Sequence, residues 1–192
     1  MNSMNKRTRS VRWESLAGVG IEHLDLTLSE AGALAVGTVV GSRNTARYGL
    51  RYQIRCDPAW CVREVIIDGA MRPEVHLLAD GNGHWWAAAG DSLSALDGCI
   101  DIDIAATPFT NTLPIRRMDL AADNRRQILV AYVRSPGAAV APAEQAYTCI
   151  EPRQRYRYES LSSGFSVDLP VDPDGLVLDY PGLFRRSGGE RG

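Results

Sequence analysis

Asp101 and Asp103 are the most chemically suggestive pair in this 192-residue chain. On an extended strand their side chains leave the same face, about 7 Å apart at a rise of ~3.3 Å per residue. Like charges that close repel unless cations or hydrogen-bond donors lie nearby. Arg63 and Arg116 are candidate partners, as are the arginine faces Arg51/Arg55 and Arg155/Arg157. Downstream, Thr107, Thr110, Asn111 and Thr112 offer hydroxyls and an amide between Pro108 and Pro114. Prolines fix the backbone and lower the entropy cost of presenting such groups. Read as a binding surface, Asp101, Asp103, Thr110, Asn111 and Arg116 form a rigid polar lip for a sugar or phosphate head group. Read as structure, the same run is a long turn that satisfies its own backbone, with the aspartates in solvent or in ion pairs.

Other chemistries have thinner support. The aspartate spacing overlaps that of the two carboxylates of inverting glycosidases, yet residues on one strand face do not readily flank a bond from opposite sides. A small-molecule or sugar-processing enzyme built on the pair is therefore an alternative, not the main expectation. No Gly-x-Ser-x-Gly elbow occurs. His23, His76 and His84 are scattered, and Cys56, Cys61, Cys99 and Cys149 lack the paired spacing of a zinc site. We expect no metal, no cofactor and mostly buried thiols. Gly81-Asn82-Gly83 reads as a hairpin turn and not a phosphate loop, since no helical pattern follows it. Trp60, Tyr158, Leu50, Tyr52, Ile54, Tyr156 and Phe165 are candidates for an apolar binding surface or for an ordinary β-core. Trp85-Trp86 puts rings on both faces of one strand.

The formal charge is −2, from 21 basic and 23 acidic residues. A dedicated nucleic-acid binder needs a basic surplus to displace counterions. All the basic residues except Lys6 are arginines. No stretch approaches the roughly 20 apolar residues of a spanning helix. The basic opening runs into Val11-Arg12-Trp13-Glu14 where a signal peptide needs its apolar run, so the expected location is the cytoplasm, with peripheral membrane contact allowed.

The elements that must position these residues are strands. Leu24, Leu26 and Leu28 alternate with polar neighbours, as do Leu50, Tyr52 and Ile54; Ile100, Ile102 and Ile104; Ile128, Val130 and Tyr132; and Phe165, Val167 and Leu169. Turns are expected at Glu30-Ala31-Gly32, Asp80 to Gly83, Ser135-Pro136-Gly137 and Asp172 to Gly175. The weak helix candidates are 87–96 and 138–147. We expect an all-β, mainly antiparallel fold, strongly curved or barrel-like so that edges are covered. One domain over 11–186 is expected between flexible ends at 1–10 and 187–192. Residues 25–40 align without a gap on 119–134, which suggests an internal repeat of about 21–85 and 115–180. A protein pairing through a sheet edge, such as a homodimer, is a further alternative, and the sequence fixes no oligomeric state.

Cys99-Ile100-Asp101-Ile102-Asp103 followed by Thr107-Pro108-Phe109-Thr110-Asn111-Thr112-Leu113-Pro114-Ile115-Arg116-Arg117 resembles the signature of the bacterial "putative glycolipid-binding" family, first defined as a conserved domain of unknown function. Cys56-Asp57-Pro58-Ala59-Trp60, Val62-Arg63, Tyr156-Arg157-Tyr158 and Asp174 to Pro181 resemble it too, so the likeness runs from about Val11 to Arg186. The resemblance implies a curved antiparallel fold with an apolar concavity, similar to bacterial lipoprotein-carrier and mycobacterial lipid-carrier folds. The expected function is to hold a lipid or glycolipid, each buried methylene contributing about 0.8 kcal/mol. The expected ligand-binding residues are Trp60, Arg63, Asp101, Asp103, Thr110, Asn111, Arg116 and Tyr158.

Overall fold

The alternating runs form strands in a computed structural model that describes residues 6–43, 46–69, 72–134 and 139–188. Nine strands make one sheet. They are β1 (Arg7–Ser15), β2 (Gly20–Ser29), β3 (Gly32–Arg43), β4 (Ala46–Cys56), β5 (Val62–Gly69), β6 (Arg72–Ala79), β7 (Trp85–Ala87), β13 (Asp179–Tyr180) and β14 (Phe184–Ser187), in the order β13-β14-β1-β2-β3-β4-β5-β6-β7. A second sheet has the order β12-β11-β10-β9-β8, from β8 (Asp101–Ile104), β9 (Arg125–Val133), β10 (Val140–Glu151), β11 (Arg155–Ser160) and β12 (Phe165–Pro170). Among the described residues every pairing is antiparallel except that of β8 with β9. The large sheet curves without closing into a barrel.

Its concave face is filled by the protein's own side chains. Trp13, Leu24, Leu26, Tyr52, Ile54, Trp85, Phe109 and Leu113 are all at most 1% exposed there. A second core holds Tyr147, Cys149, Tyr156, Tyr158, Leu169 and Tyr180. Strand β8 separates them, with Ile102 and Ile104 in the first core and Asp101 and Asp103 on the opposite face. The expected open apolar hollow is therefore occupied at its centre.

Three local expectations differ from the structure. Residues 107–114 are not a turn: a 3₁₀ segment at Phe109–Asn111 leads into helix α1 (Thr112–Met118), which Asp119 ends at φ 40°. Pro114 lies in the first helical turn, where a missing N–H removes no intrahelical bond. Of the helix candidate 138–147, the described residues 139–147 yield no helix but most of β10, paired on both sides with β9 and β11. The repeat is not reproduced as a pair of strands. Residues 25–40 span a β2–β3 hairpin, whereas 119–124 hold the helix end and a turn before β9 begins. The large sheet takes in Arg7 to Ser10 and Ser187. The Ser135-Pro136-Gly137 turn lies outside the described residues. All four cysteines are free, with Cys56, Cys99 and Cys149 buried.

Candidate functional site

The eight sequence-derived residues do not form one surface. Asp101 is fully buried and ion-paired with Arg117, Nη2 to Oδ2 2.6 Å and Nε to Oδ1 3.0 Å. Burial lifts its carboxyl above the ordinary range and the guanidinium opposes that lift. Arg116, one of the candidate partners, instead lies over the Trp60 ring at 5.0 Å. Trp60 is itself buried at φ 65°. Arg63 turns away to Asp57, donating from Nε and Nη2 at 3.0 and 2.7 Å, and to the Asp80 carbonyl.

Asp103, Thr110, Asn111 and Tyr158 do come together, inside the molecule. Gln145 and Thr110 donate to Asp103 at 2.6 and 3.0 Å, and burial, the larger effect, raises its carboxyl. Tyr147 donates to Asn111 Oδ1 at 2.9 Å and packs edge-on against Tyr158 with centroids 5.5 Å apart. Thr112 donates to the Gly175 carbonyl at 2.9 Å. Thr107, Thr110, Asn111 and Thr112 are all buried. The hydroxyl-rich run is thus a polar strut between two apolar cores, its groups held by internal partners.

Where the strut meets the large sheet, it reaches a group that sequence reasoning missed. Glu22 is 1% exposed on the inward stripe of β2 with Leu24 and Leu26. Tyr52 and Thr107 donate to its Oε1 at 2.5 and 2.7 Å, while Oε2 has no partner. Burial pushes the carboxyl from 4.5 up to about 7, and the two hydroxyl donors limit the rise. The Tyr52 phenol is raised too, first by burial and then by the Glu22 charge. Tyr52 reaches Glu22 across β3 because Gly37 faces it. A Cβ there would stand 2.2 Å from the tyrosine ring. The sequence signal was present: an acid two residues before Leu24 falls in phase with the buried stripe.

Glu22 lines a throat at one end of the sheet. Its walls include Trp13, Ser15, Val39, Ser42, Tyr48 and Phe184. Gly20 and Gly41 are cross-strand neighbours that both line it, and the room beside Gly41 is taken by the Tyr48 ring, 3.0 Å from where a Cβ would stand. About 10 Å³ of free volume remains, roughly the room of one water molecule or one hydroxyl. Around this end lie Leu16, Val19, Ile21 and Val40, which are 44%, 86%, 48% and 59% exposed. They are four of the seven exposed large hydrophobics among the described residues. Clustered apolar exposure marks an interaction surface more than scattered residues do.

A separate groove of about 450 Å³ runs between the end of α1 and the free part of β9. Ile100, Met118, Leu120, Ile128 and Leu129 line it, with Arg117 and Arg126 at its polar edge. No group of three potential metal ligands occurs among the described residues. None of their helices is long and apolar enough to cross a membrane.

A family described as "putative glycolipid-binding" matches residues 10–186. The chain is 40% identical to a DUF1089 family protein from Pseudomonas aeruginosa, known from a crystal structure, over 86% of this chain and 91% of that one, with a TM-score of 0.78. No curated protein matches it.

Proposed function

This chain belongs to the "putative glycolipid-binding" family, and from that membership and its geometry we propose that it binds an amphiphile of glycolipid type at the open end of the curved sheet. The observation that carries the reading is the exposed apolar cluster at that end, the loop residues Leu16 and Val19 with the outward-facing Ile21 and Val40, beside a throat that Glu22 lines. Because the concave face is already packed, the acyl part stays at the rim and only the head enters. The rim then meets hydrocarbon at a lipid surface, each side chain contributing about 1–2 kcal/mol when covered. The sequence-derived residues Asp103, Thr110 and Asn111 act behind this site by holding the strut that carries Thr107. Asp101 and Asp103 are occupied by Arg117, Gln145 and Thr110, which favours binding over paired-carboxylate catalysis.

Lipid extracted from protein purified from its native source, analysed by mass spectrometry, tests the ligand class. Cosedimentation with vesicles containing a glycosyl diacylglycerol tests the surface. Val19→Asp and Val40→Asp are expected to weaken vesicle binding by about tenfold each. Full binding by the double variant overturns the placement at the open end.

A further inference from the structure

Glu22 Oε2 faces a choice of protonation states, and neither is satisfied within the protein. As a carboxylate it lacks a donor, and as a carboxylic acid its O–H lacks an acceptor. A buried polar atom without a partner costs about 1–3 kcal/mol. Glu22 also lines the throat, and an unpartnered atom on a lining residue points to a ligand group. The surroundings narrow the class. Among the described residues no cation lines the throat; the hydrogen-bond partners of Glu22 are the hydroxyls of Tyr52 and Thr107, and Ser15, Ser42 and Tyr48 line the approach. A phosphate or carboxylate head would bring an anion against a buried acid with nothing to balance it. An alcohol hydroxyl can donate to the ionised form and accept from the neutral one, and its size matches the remaining space.

We propose that Glu22 Oε2 takes the hydroxyl of a hydroxymethyl arm on the ligand's head, so that the throat selects uncharged polyol heads over anionic ones. This rests on the open end being the amphiphile site, and it adds the residue that sets head-group specificity. Tyr52 and Thr107 are positioning residues that hold Oε1, leaving Oε2 aimed at the ligand.

The test uses the full chain with two probes of equal alkyl length, octyl β-glucoside and octyl phosphate, below their micelle concentrations. Titration calorimetry at pH 8, where Glu22 is mostly ionised, is expected to give at least tenfold tighter binding of the glucoside. In Glu22→Gln the amide oxygen still accepts from Tyr52 and Thr107, and the amide N–H groups face the throat. Octyl phosphate binding should then strengthen about tenfold, collapsing the discrimination. Should the variant fail to fold, permethylated octyl glucoside, which has no hydroxyl to donate, must lose binding to the wild-type protein about tenfold. Equal binding of both heads by the wild type, an unchanged ratio in Glu22→Gln, or full binding of the permethylated probe overturns the Glu22 assignment and leaves the amphiphile reading standing. No binding of either octyl compound, together with no vesicle binding, removes both.

Discussion

Arg116 and Arg117 are neighbours in α1, and about 100° of helical rotation sends them to different fates. Arg117 reaches the fully buried Asp101, whereas Arg116 stacks on Trp60. Removing Arg117 leaves a buried acid without its cation, so Arg117→Met should cost about 3–5 kcal/mol. Arg116→Met loses only a cation–π contact, about 1 kcal/mol or less. Urea unfolding of the two variants checks the contrast, and equal losses remove the ion pair's structural role. Glu22 makes a second prediction, with a defined sign. Its folded value of about 7 lies above 4.5, so between these values the native state holds a proton that the unfolded chain has released. Glu22's contribution to stability is therefore fully present below about pH 4.5 and lost as pH rises through 7, a change of about 3 kcal/mol. Glu22→Gln should flatten this part of the stability profile and make the protein more stable than wild type at pH 8. A parallel pair of pH profiles contradicts the burial of an unpaired acid.

Strands were legible because one wet and one dry face impose period two, and the Leu24/Leu26 and Tyr52/Ile54 stripes do point into the core. What a single sequence concealed was which elements lie between two cores. The alternating pattern of β8 left open whether Asp101 and Asp103 face a cavity or solvent, and a second apolar layer lies on their face. The threonine-rich run was correctly singled out as unusual. Its hydroxyls serve internal carboxylates and carbonyls, a fact of tertiary packing that spacing does not encode. Residues 140–147 misled because their small side chains carry no strong period, and pairing with two strands decided their structure. Two glycines show how element geometry builds the site. At Gly37 a Cβ would fall 2.2 Å from Tyr52, whereas at Gly49 the nearest atom would be 3.8 Å away. Gly37→Ala should thus displace Tyr52, cost about 1–3 kcal/mol or more, and weaken octyl glucoside binding. Gly49→Ala should be neutral or stabilise by about 0.5 kcal/mol. Thermal melts paired with titration separate the two, and a harmless Gly37→Ala breaks the link between β3 and the throat.

At the scale of the whole molecule, two faces compete for a lipid surface, and their physics differs. The open end offers exposed Leu16, Val19, Ile21 and Val40 with an acid buried behind them. The groove beside α1 offers half-buried aliphatic walls and two arginines, of which Arg126 has no ion-pair partner among the described residues. Attraction between surface arginines and anionic lipid is screened within a Debye length of about 8 Å at physiological salt. Burial of apolar side chains is not screened in this way. If the open end docks, binding to uncharged glycolipid vesicles should hold steady between low and high salt and fall with Val19→Asp. Under the same assignment, Arg126→Glu should leave it within about twofold, because a distant exposed charge contributes little across screened solvent. Vesicle binding that requires anionic lipid, collapses with salt and is abolished by Arg126→Glu would move the membrane contact to the groove. The rim would then be left without a partner, and the polyol selectivity assigned to Glu22 would lose the surface that brings a head group to it.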